Sequence, residues 1–457
     1  AQIGTLCEKY NLYFILDASQ TAGTIEIDME QNHISAICFT GHKGLFGPQG
    51  TGGIALADGV CVKPLLSGGS GVHSFERKHP MELPAALEAG TLNGHGIAGL
   101  HAALDWIKKT GIAAIHEKEM ALAEQFQRGI ETIPGIHIYG GEKRVAAIVS
   151  CNLADLDSAY VSDCLAENYG IATRAGAHCA PQIHTHFGTE KQGMVRFSFS
   201  CFNTTEEVEK AVRAMQDIAA ENRGKVTAYV GAGGKTSSIR KRAETLRAEG
   251  KRVLILTTTK MMVPQEQEIF AAYEQTGQES VISATASVWQ ERRAAEKQLK
   301  ERVQSVLDTY GCCVAGSLIP GTEKFGMLPE KLMEDLLYLA DEILIEADGS
   351  AHMPVKAPAE HEPVLFPYMD EVVIVMGAHA IGKPLQKVCH RVDYAKKILK
   401  CAADKIVTAA DIRALEEQGY AIPIQKQFPW MKISKVTGKD IKLCLTAEKK
   451  DKVRDKQ

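Results

Sequence analysis

The stretch Val226-Thr227-Ala228-Tyr229-Val230-Gly231-Ala232-Gly233-Gly234-Lys235-Thr236-Ser237 decides how this chain is divided. It begins as an apolar strand, passes through a glycine turn and continues as the start of a helix. Just before it, residues 205–221 carry apolar side chains at helical spacing, and Asn203-Thr204-Thr205 supplies an N-terminal cap. A new strand–loop–helix unit after a closing helix predicts a domain boundary between residues 222 and 226.

Short apolar runs alternate with longer amphipathic stretches on both sides of this boundary, which is typical of α/β proteins. The chain opens with Ala1 rather than Met and soon enters a strand, which is typical of a fragment. The basic tail after Lys432 has no clear pattern and is assigned no fold. The predicted helices cover residues 96–109, 111–132 and 205–221. The predicted strands cover residues 13–16, 36–40, 53–56, 147–152, 226–230, 252–257, 342–346 and 371–375.

The composition is that of an ordinary globular protein, with 45% hydrophobic residues, 24% charged residues and a formal net charge of −4. Nothing in it points to nucleic acid or to a membrane surface, and no apolar run is long enough to span a bilayer. Twelve cysteines without framework spacing, in a chain without a secretion signal, predict reduced cytoplasmic thiols. The adjacent pair Cys312-Cys313 is interpreted as core, with metal or selenium binding as the alternative.

A lysine after a predicted strand is the first candidate site. In Phe39-Thr40-Gly41-His42-Lys43-Gly44, the strand end would fix the amine, and the glycines that follow would admit a bulky aldehyde cofactor. Upstream, Asp17 ends an apolar strand, where a buried carboxylate would keep a pyridine ring protonated. Alternatives stay open, because Lys43 also fits a surface loop and Asp17 also fits a helix cap.

A cysteine downstream completes this candidate site. In Arg174-Ala175-Gly176-Ala177-His178-Cys179-Ala180-Pro181, a histidine and an arginine near Cys179 could favour a nucleophilic thiolate, although an unreactive loop thiol is the alternative. Arg196 lies in the apolar run Val195-Arg196-Phe197-Ser198. Its charge needs an anion, which is either a substrate carboxylate or an acidic side chain.

In this order, the segments from about Tyr13 to Ala219 resemble the class V aminotransferase superfamily, specifically its cysteine desulfurases. The resemblance implies the pyridoxal-phosphate fold type I, with the cofactor on Lys43. It also implies that Cys179 forms a persulfide and that Arg196 binds the substrate carboxylate. The other implied cofactor contacts are Asp17 to the pyridine nitrogen, Gln20 to the phenolic oxygen, Thr40 and His42 to the phosphate, and Thr91 to the phosphate across a homodimer interface.

The implied reaction converts L-cysteine to L-alanine and leaves a persulfide on Cys179. Lys43 would shuttle the α-proton, and His178 would assist proton transfer. Selenocysteine would use the same residues, so a selenocysteine lyase is an alternative. The family's large domain normally begins well before the cofactor aspartate, and here Asp17 comes almost at once. We therefore expect this chain to lack part of the site.

The glycine loop is the second candidate site, because backbone N–H groups and a helix N-terminus can cradle phosphate. The pattern is shorter than the standard phosphate-binding loop, since Tyr229 stands where its first glycine is usual. A tight turn between strand and helix is the alternative. The predicted magnesium ligands are Thr236, Glu346 and Asp348. The predicted nucleotide-binding residues are Gly231, Gly233, Gly234, Lys235, Thr236 and Ser237.

From about Val226 to Ala414 the chain resembles the selenium-cofactor biosynthesis accessory family (YqeC-like). The resemblance implies a P-loop-like α/β domain that binds ATP or GTP with Mg²⁺, and it links the chain to maturation of selenium-dependent molybdenum hydroxylases. The family pattern fades after about Ile422. Besides the glycine loop, the resemblance depends on Leu256-Thr257-Thr258-Thr259-Lys260-Met261, Glu346-Ala347-Asp348-Gly349-Ser350 and Lys356-Ala357-Pro358-Ala359-Glu360-His361-Glu362-Pro363.

We therefore predict a partial desulfurase domain over residues 1–222 and a nucleotide-binding domain over residues 226–457, with the tail after about residue 422 unassigned. The fusion suggests coupled steps, in which a cytoplasmic homodimer passes sulfur or selenium from Cys179 to an acceptor protein or to the cofactor of a molybdenum hydroxylase. The alternative is a nucleotide-dependent accessory or delivery protein whose desulfurase-like half is idle.

Overall fold

The computed structural model of the chain describes residues 2–73, 75–141, 144–274 and 286–437. These residues form two compact units. The predicted domain limits stay a prediction. The first unit contains the described residues of Ala1–Glu131, Ile138–Cys151 and Ser162–Ala214, and the second contains those of Thr132–His137, Asn152–Val161 and Met215–Gln457.

The chain before residue 223 forms six helices and six strands within the described ranges. The helices are α1 Gln2–Lys9, α2 Gly94–Thr110, α3 Ile112–Ile130, α4 Ser158–Tyr169, α5 Pro181–Phe187 and α6 Thr205–Asn222, with a 3-10 turn at Ala85–Leu87. The strands are β1 Ile15–Asp17, β2 Ala36–Thr40, β3 Gly52–Leu56, β4 Ile136–Tyr139, β5 Ile148–Leu153 and β6 Val195–Ser198.

Two small sheets organise this part of the chain. One has the order β1-β2-β3, with β1 parallel and β3 antiparallel to β2. The other has the order β4-β5-β6, with β5 and β6 antiparallel. Helix α3 buries Phe126, whose ring packs against Phe197 of β6 with centroids 4.3 Å apart. The loop after β2 is anchored by Leu45, which is buried, and by Phe46, whose ring meets Trp106 of α2 edge-on.

The chain after residue 224 forms one large sheet with helices on its faces. The strands in this part of the chain are β7 Lys225–Gly231, β8 Val253–Thr257, β9 Met261–Met262, β10 Phe270–Tyr273, β11 Cys312–Leu318, β12 Lys324–Gly326, β13 Glu342–Glu346, β14 Val355–Lys356, β15 Glu371–Met376, β16 Cys389–His390 and β17 Lys432–Thr437. Its helices are α7 Lys235–Ala248, α8 Ala286–Tyr310, α9 Glu330–Leu336, α10 Leu385–Val388, α11 Val392–Leu399, α12 Ala409–Ala414 and α13 Ile422–Gln427, with 3-10 turns at Gln267–Ile269 and Ala378–Ala380 and a π-helix at Leu415–Ala421.

The large sheet has the order β17-β15-β7-β13-β8-β11-β12-β9, and β10 also pairs with β11. The strands from β17 to β11 are parallel to their neighbours, whereas β12 and β9 are antiparallel. The carboxyl ends of β7, β8, β13 and β15 therefore meet at one edge. Strands β14 and β16 form a separate parallel pair.

Both faces of the large sheet are buried. On β7, Val226, Ala228 and Val230 belong to one apolar cluster, and Tyr229 belongs to another. Helix α8 packs on the first cluster and α7 on the second. Because the strands are covered on both sides, they appear in the sequence as continuous apolar runs rather than as an alternating pattern.

The structure confirms the predicted α/β architecture, and the limits predicted for residues 36–40 and 342–346 match those of β2 and β13. The sequence pattern assigns no fold after Lys432, and the structure places β17 there, paired with β15; residues 438–457 lie outside the described ranges. Cys312 and Cys313 are buried in β11, as the core interpretation predicts. Burial raises the pKa of Cys312 to about 11 and that of Cys313 to about 12. No helix within the described ranges has the length and apolar character needed to cross a membrane.

Candidate functional site

Asp17 and Thr40 lie at the carboxyl ends of the adjacent parallel strands β1 and β2. The Asp17 Oδ1 atom accepts hydrogen bonds from the Ser19 backbone N–H at 2.9 Å and from the Ser19 hydroxyl at 2.5 Å. The Thr40 hydroxyl donates to the Ser19 carbonyl oxygen at 3.5 Å. Because Lys43 follows β2 directly, the topology places Asp17, Thr40 and Lys43 at one edge of the first sheet.

The Asp17 side chain is exposed, which corrects the expectation of a buried carboxylate. The physical reason is that β1 is an edge strand, which pairs only with β2 among the described residues. Hydrogen bonds from the Ser19 side chain and backbone lower the pKa of Asp17, and the charge of Lys43 acts in the same direction. Asp17 is therefore ionised at neutral pH, as the partner of a protonated pyridine nitrogen must be.

Lys43 is exposed in a turn held by backbone hydrogen bonds. The Gly41 N–H donates to the Thr51 carbonyl at 2.9 Å, and the Gly47 N–H donates to the Gly41 carbonyl at 2.7 Å. An amine, an ionised carboxylate and a hydroxyl at one sheet edge suit the aldehyde, the ring nitrogen and the phosphate of pyridoxal phosphate. The chemistry of these donors therefore fits this cofactor.

The remaining predicted cofactor contacts, Gln20, His42 and Thr91, have exposed side chains. In the part of the chain that the structure describes, no hydrogen bond or ion pair joins their side chains to Asp17 or Lys43. The roles predicted for these three residues stay predictions.

Cys179 lies in the loop before α5, and its thiol is exposed. His178 and Cys179 both have left-handed backbone, with φ angles of 53° and 61°. Consecutive non-glycine residues in this region store strain, a feature that clusters at functional sites. The Arg174 Nη2 atom donates to the Cys179 Sγ atom at 3.2 Å. An exposed sulfur beside a guanidinium is the environment of a reactive cysteine.

The His178 ring is directed to the backbone of Arg174, whose carbonyl oxygen lies 2.8 Å from the Nε2 atom. Burial lowers the pKa of His178, and the charges of Arg196 and His184 act in the same direction. The ring is therefore neutral at physiological pH. Since Nε2–H donates to Arg174, Nδ1 is the acceptor nitrogen of this tautomer.

Arg196 lies on β6, opposite Ser150 of β5, and exchanges backbone hydrogen bonds with Arg174 at 2.8 and 3.2 Å. Its Nε atom is buried and has no hydrogen-bond partner in the part of the chain that the structure describes. Burial lowers the pKa of Arg196, and the like charge of Arg174 adds to this effect. A buried donor of this kind requires an acceptor, and a carboxylate matches a guanidinium through two parallel hydrogen bonds. Arg174, Cys179, His178 and Arg196 thus form one cluster.

The glycine loop of the second unit joins β7 to α7. Gly231, Gly233 and Gly234 have φ angles of 90°, 77° and 131°, which other residues rarely adopt. The Lys235 Nζ atom donates to the Gly231 carbonyl at 2.8 Å. The first turn of α7, which includes Ser237, presents N–H groups without intrahelical acceptors. This arrangement suits an anion.

Two acidic side chains lie near Lys235, which is 4% exposed. Burial lowers the pKa of Lys235, whereas Glu346 and Asp348 act in the opposite direction. Burial also raises the pKa of Glu346, and the charge of Lys235 opposes this. The Thr236 hydroxyl donates to Glu346 Oε2 at 2.9 Å. Thr236 and Glu346 therefore lie together at the carboxyl edge of the sheet.

Asp348 is 1% exposed, and three donors surround its carboxylate. It accepts hydrogen bonds from the Gly231 N–H at 3.2 Å, from the Tyr420 hydroxyl at 2.7 Å and from the Lys356 ammonium. Within the described ranges, no group of three His, Cys, Asp or Glu side chains is arranged to hold a metal ion. The magnesium role of Asp348 stays a prediction, and one of its hydrogen bonds links it to Gly231 of the glycine loop.

Sequence reasoning missed the partners of Asp348. Lys356 and Glu362 stand in a segment that the sequence analysis quotes only for the family resemblance, and Arg391 and Tyr420 are not among its candidate residues. One signal was available, since Lys356 follows directly on an apolar residue in β14 and is fully buried. A lysine in such a place needs a carboxylate partner.

Gly233→Ala is expected to destabilise the second unit by about 2–3 kcal/mol, because strain and steric clash add. A Cβ atom there would lie 2.4 Å from the Pro354 carbonyl oxygen and 2.7 Å from the Gly377 Cα atom, at a φ of 77°. Urea unfolding without ligand measures the loss. Gly250→Ala is the control, since its φ is 80° but no described atom lies within 4 Å of the added Cβ atom. Equal losses of unfolding free energy in the two variants would show that contacts of the added Cβ atom do not matter at Gly233.

Comparison with known proteins now assigns the two parts of the chain. Residues 1–211 match the aminotransferase class-V family, and residues 227–393 match the YqeC protein family. The chain therefore carries an aminotransferase class-V domain followed by a YqeC domain.

The first of these domains is similar to cysteine desulfurases. The chain is 34% identical over 223 residues to a probable cysteine desulfurase of Methanothermobacter thermautotrophicus, covering 48% of this chain and 56% of the relative. It is 30% identical over 223 residues to a cysteine desulfurase of Shigella flexneri, covering 48% and 54%. A solved structure, apo cysteine desulfurase from Thermococcus onnurineus NA1, matches at 30% identity with a TM-score of 0.45, covering 48% and 56%. The chain thus spans about half the length of the curated relatives it matches.

Proposed function

We propose that the first unit is the catalytic part of a pyridoxal-phosphate-dependent cysteine desulfurase and that the second unit binds a nucleotide. The contact between Arg174 Nη2 and the exposed Cys179 thiol, 3.2 Å long, carries the first proposal. The relatives support L-cysteine as the substrate, since they are named cysteine desulfurases. Selenocysteine would meet the same side chains and is the alternative substrate.

Each side chain of the first site has a role in this reaction. Pyridoxal phosphate, when bound, supplies an electron sink for the substrate carbons. Lys43 holds the cofactor and moves the substrate α-proton at Nζ. The Asp17 carboxylate keeps the pyridine nitrogen protonated. Arg196 binds the substrate carboxylate with the donor that has no partner among the described residues.

Cys179 takes the sulfur. Its Sγ atom attacks the substrate sulfur, so that a sulfur–sulfur bond forms and the carbon–sulfur bond breaks. The electron pair stays with the carbon, which takes up a proton to give L-alanine. His178 adjoins Cys179, and its Nδ1 atom is the nitrogen that can accept a proton. The persulfide left on Cys179 requires an acceptor.

Lys43→Ala is expected to remove the near-visible absorbance that pyridoxal phosphate develops when it is linked to a protein lysine. The measurement is an absorption spectrum of the purified chain after addition of the cofactor. Lys63→Ala, which replaces another exposed lysine of the first unit, should keep the band.

Two other outcomes of this experiment would count against the proposal. A band of equal strength in the Lys43→Ala variant would place the cofactor on a different lysine. A wild-type chain without a band would favour the alternative in which the desulfurase-like half is idle and the second unit acts as an accessory or delivery module.

For the second unit, we propose ATP or GTP as the ligand, bound with Mg²⁺ at the start of α7. The support is the placement of the loop at the carboxyl edge of a largely parallel sheet, where ligands of open α/β sheets bind. Lys235 would balance the phosphate charge, and Thr236 with Glu346 would hold the metal ion. Nucleotide hydrolysis belongs to the same proposal.

The joining of the two domains suggests that their steps are coupled. We propose that sulfur or selenium passes from Cys179 to an acceptor protein or to the cofactor of a molybdenum hydroxylase, and that the chain works as a cytoplasmic homodimer. The YqeC match supports the destination, and the twelve cysteines without framework spacing support the compartment. A chain that releases sulfur from cysteine but never transfers it to such a hydroxylase or its cofactor would contradict the destination.

A further inference from the structure

Buried and half-buried polar side chains form a continuous group beside the glycine loop of the second unit. Lys356 is 0% exposed, and its ammonium donates to the Asp348 carboxylate and to the Gly349 carbonyl at 2.6 Å. The same ammonium lies 2.8 Å from Glu362 Oε2. The group, called here the loop network, consists of Asp348, Lys356, Glu362, Arg391 and Tyr420.

We propose that the loop network positions the glycine loop for phosphate, with Asp348 as the positioning residue. This inference rests on the nucleotide binding proposed above and adds the residues that prepare its site. Asp348 Oδ2 accepts the Gly231 N–H at 3.2 Å, and Lys235 donates to the Gly231 carbonyl at 2.8 Å. Gly231 is therefore held at both polar backbone atoms. Its orientation fixes where the N–H groups that follow it point.

The outer part of the network keeps Asp348 in place. Arg391 donates to both Glu362 oxygens at 2.9 Å, so that Glu362 is fixed beside Lys356. Although burial acts in the opposite direction, the hydrogen bonds from Arg391 and Lys356 lower the pKa of Glu362 to about 2. Glu362 is thus ionised at any physiological pH, and Lys356 has a carboxylate on each side.

The third donor to Asp348 comes from an uncommon backbone element. Tyr420 is fully buried in the π-helix Leu415–Ala421, and its hydroxyl donates to Asp348 Oδ2 at 2.7 Å. Burial raises the pKa of Tyr420 well above its ordinary value, with the charge of Asp348 acting in the same direction, so the hydroxyl keeps its proton. π-Helical turns are rare and are often found at functional sites.

The stability of the core does not by itself explain why charged groups are buried in the loop network. Removing charged groups from water costs free energy, and well-packed apolar residues often stabilise a core equally well. Asp348, by contrast, supplies an acceptor at a defined point beside the loop, which an apolar residue cannot do. We therefore expect the loop network to set the position of the glycine loop, and not only to stabilise the core.

The test compares two buried tyrosines of the second unit. Tyr420→Phe removes the hydroxyl that binds Asp348, and we expect about tenfold weaker binding of Mg·ATP or Mg·GTP, whichever the full chain binds. Tyr368→Phe is the matched control, because the Tyr368 hydroxyl is buried and has no hydrogen-bond partner within the described ranges. We expect its affinity to equal that of the wild type. Titration calorimetry gives the affinities, and thermal unfolding without nucleotide shows whether each variant is folded.

A second comparison separates positioning from charge balance. Asp348→Asn keeps an oxygen that can accept the Gly231 N–H, whereas Asp348→Ala combined with Lys356→Met removes that acceptor without leaving an unpaired ammonium. We expect the double variant to bind about tenfold more weakly than Asp348→Asn. If the double variant does not fold, the comparison of Tyr420→Phe with Tyr368→Phe tests the positioning role.

The outcomes distinguish this inference from the proposed function. Wild-type affinity in Tyr420→Phe, or equal affinities in the two Asp348 variants, would overturn the positioning role while leaving nucleotide binding intact. A wild-type chain that binds neither nucleotide would overturn the proposed function and the positioning role together.

Discussion

Cys179→Ser is expected to abolish persulfide formation and to reduce alanine release from L-cysteine by at least about 10³-fold, because nucleophile replacements typically cost this much. Serine keeps the size of the side chain but is a poor nucleophile toward sulfur. The structure gives this cysteine three properties of a nucleophile, namely exposure, a guanidinium donor at 3.2 Å and a strained loop. The assay uses the chain loaded with pyridoxal phosphate, with alanine quantified and the added sulfur located by mass spectrometry.

The control is Cys61→Ser, which replaces another exposed cysteine of the first unit. This variant should form alanine and persulfide at the wild-type rate, since Cys61 does not belong to the cluster that contains Arg174 and Arg196. Alanine release that continues unchanged in Cys179→Ser would show that a different thiol accepts the sulfur. A loaded wild-type chain that releases no alanine would favour the alternative of an idle first unit.

Lys235→Ala is expected to weaken nucleotide binding by on the order of 100-fold, equivalent to about 2.7 kcal/mol, a typical value for a charged hydrogen bond. The ammonium is almost fully buried beside the loop, so solvent screens it poorly. Its loss also removes the positive charge that acts most strongly on the Glu346 carboxylate, which further disfavours an incoming phosphate. Titration calorimetry with Mg·ATP and Mg·GTP measures the effect.

Two controls accompany this variant. Lys241→Ala removes an exposed lysine from the same helix and should bind nucleotide as the wild type does. Lys43→Ala should also bind normally, while Lys235→Ala should keep the near-visible cofactor band. If Lys241→Ala weakened binding as strongly as Lys235→Ala, the loop lysine would have no special role, and general surface charge would explain the loss.

Much of the fold was predictable because its signals are local. A strand covered on both faces is a continuous apolar run, so β13 was predicted with its observed limits. The glycine loop was predictable for a similar reason, since positive φ angles at Gly231, Gly233 and Gly234 demand residues without a side chain. Asp17 and Glu346 end apolar strands, and Lys43 comes shortly after one. The sequence therefore places these three side chains at the edges of their sheets.

Other features depend on contacts between distant parts of the chain, which local patterns do not show. Asp348 and Tyr420 are 72 residues apart, and nothing near either residue indicates their hydrogen bond. The exposure of Asp17 depends on which strands flank β1 rather than on its own sequence. Strand β17 is short and rich in lysine, so only its pairing with β15 makes it recognisable.

That pairing has a practical consequence for anyone who shortens the chain. Strand β15 is buried along its whole length, and β17 pairs with it over six residues. Removal of residues from Lys432 onward would uncover a row of backbone N–H and C=O groups, on which a second molecule can add a strand and start aggregation. Trimming for crystallisation should therefore leave Thr437 and everything before it in place.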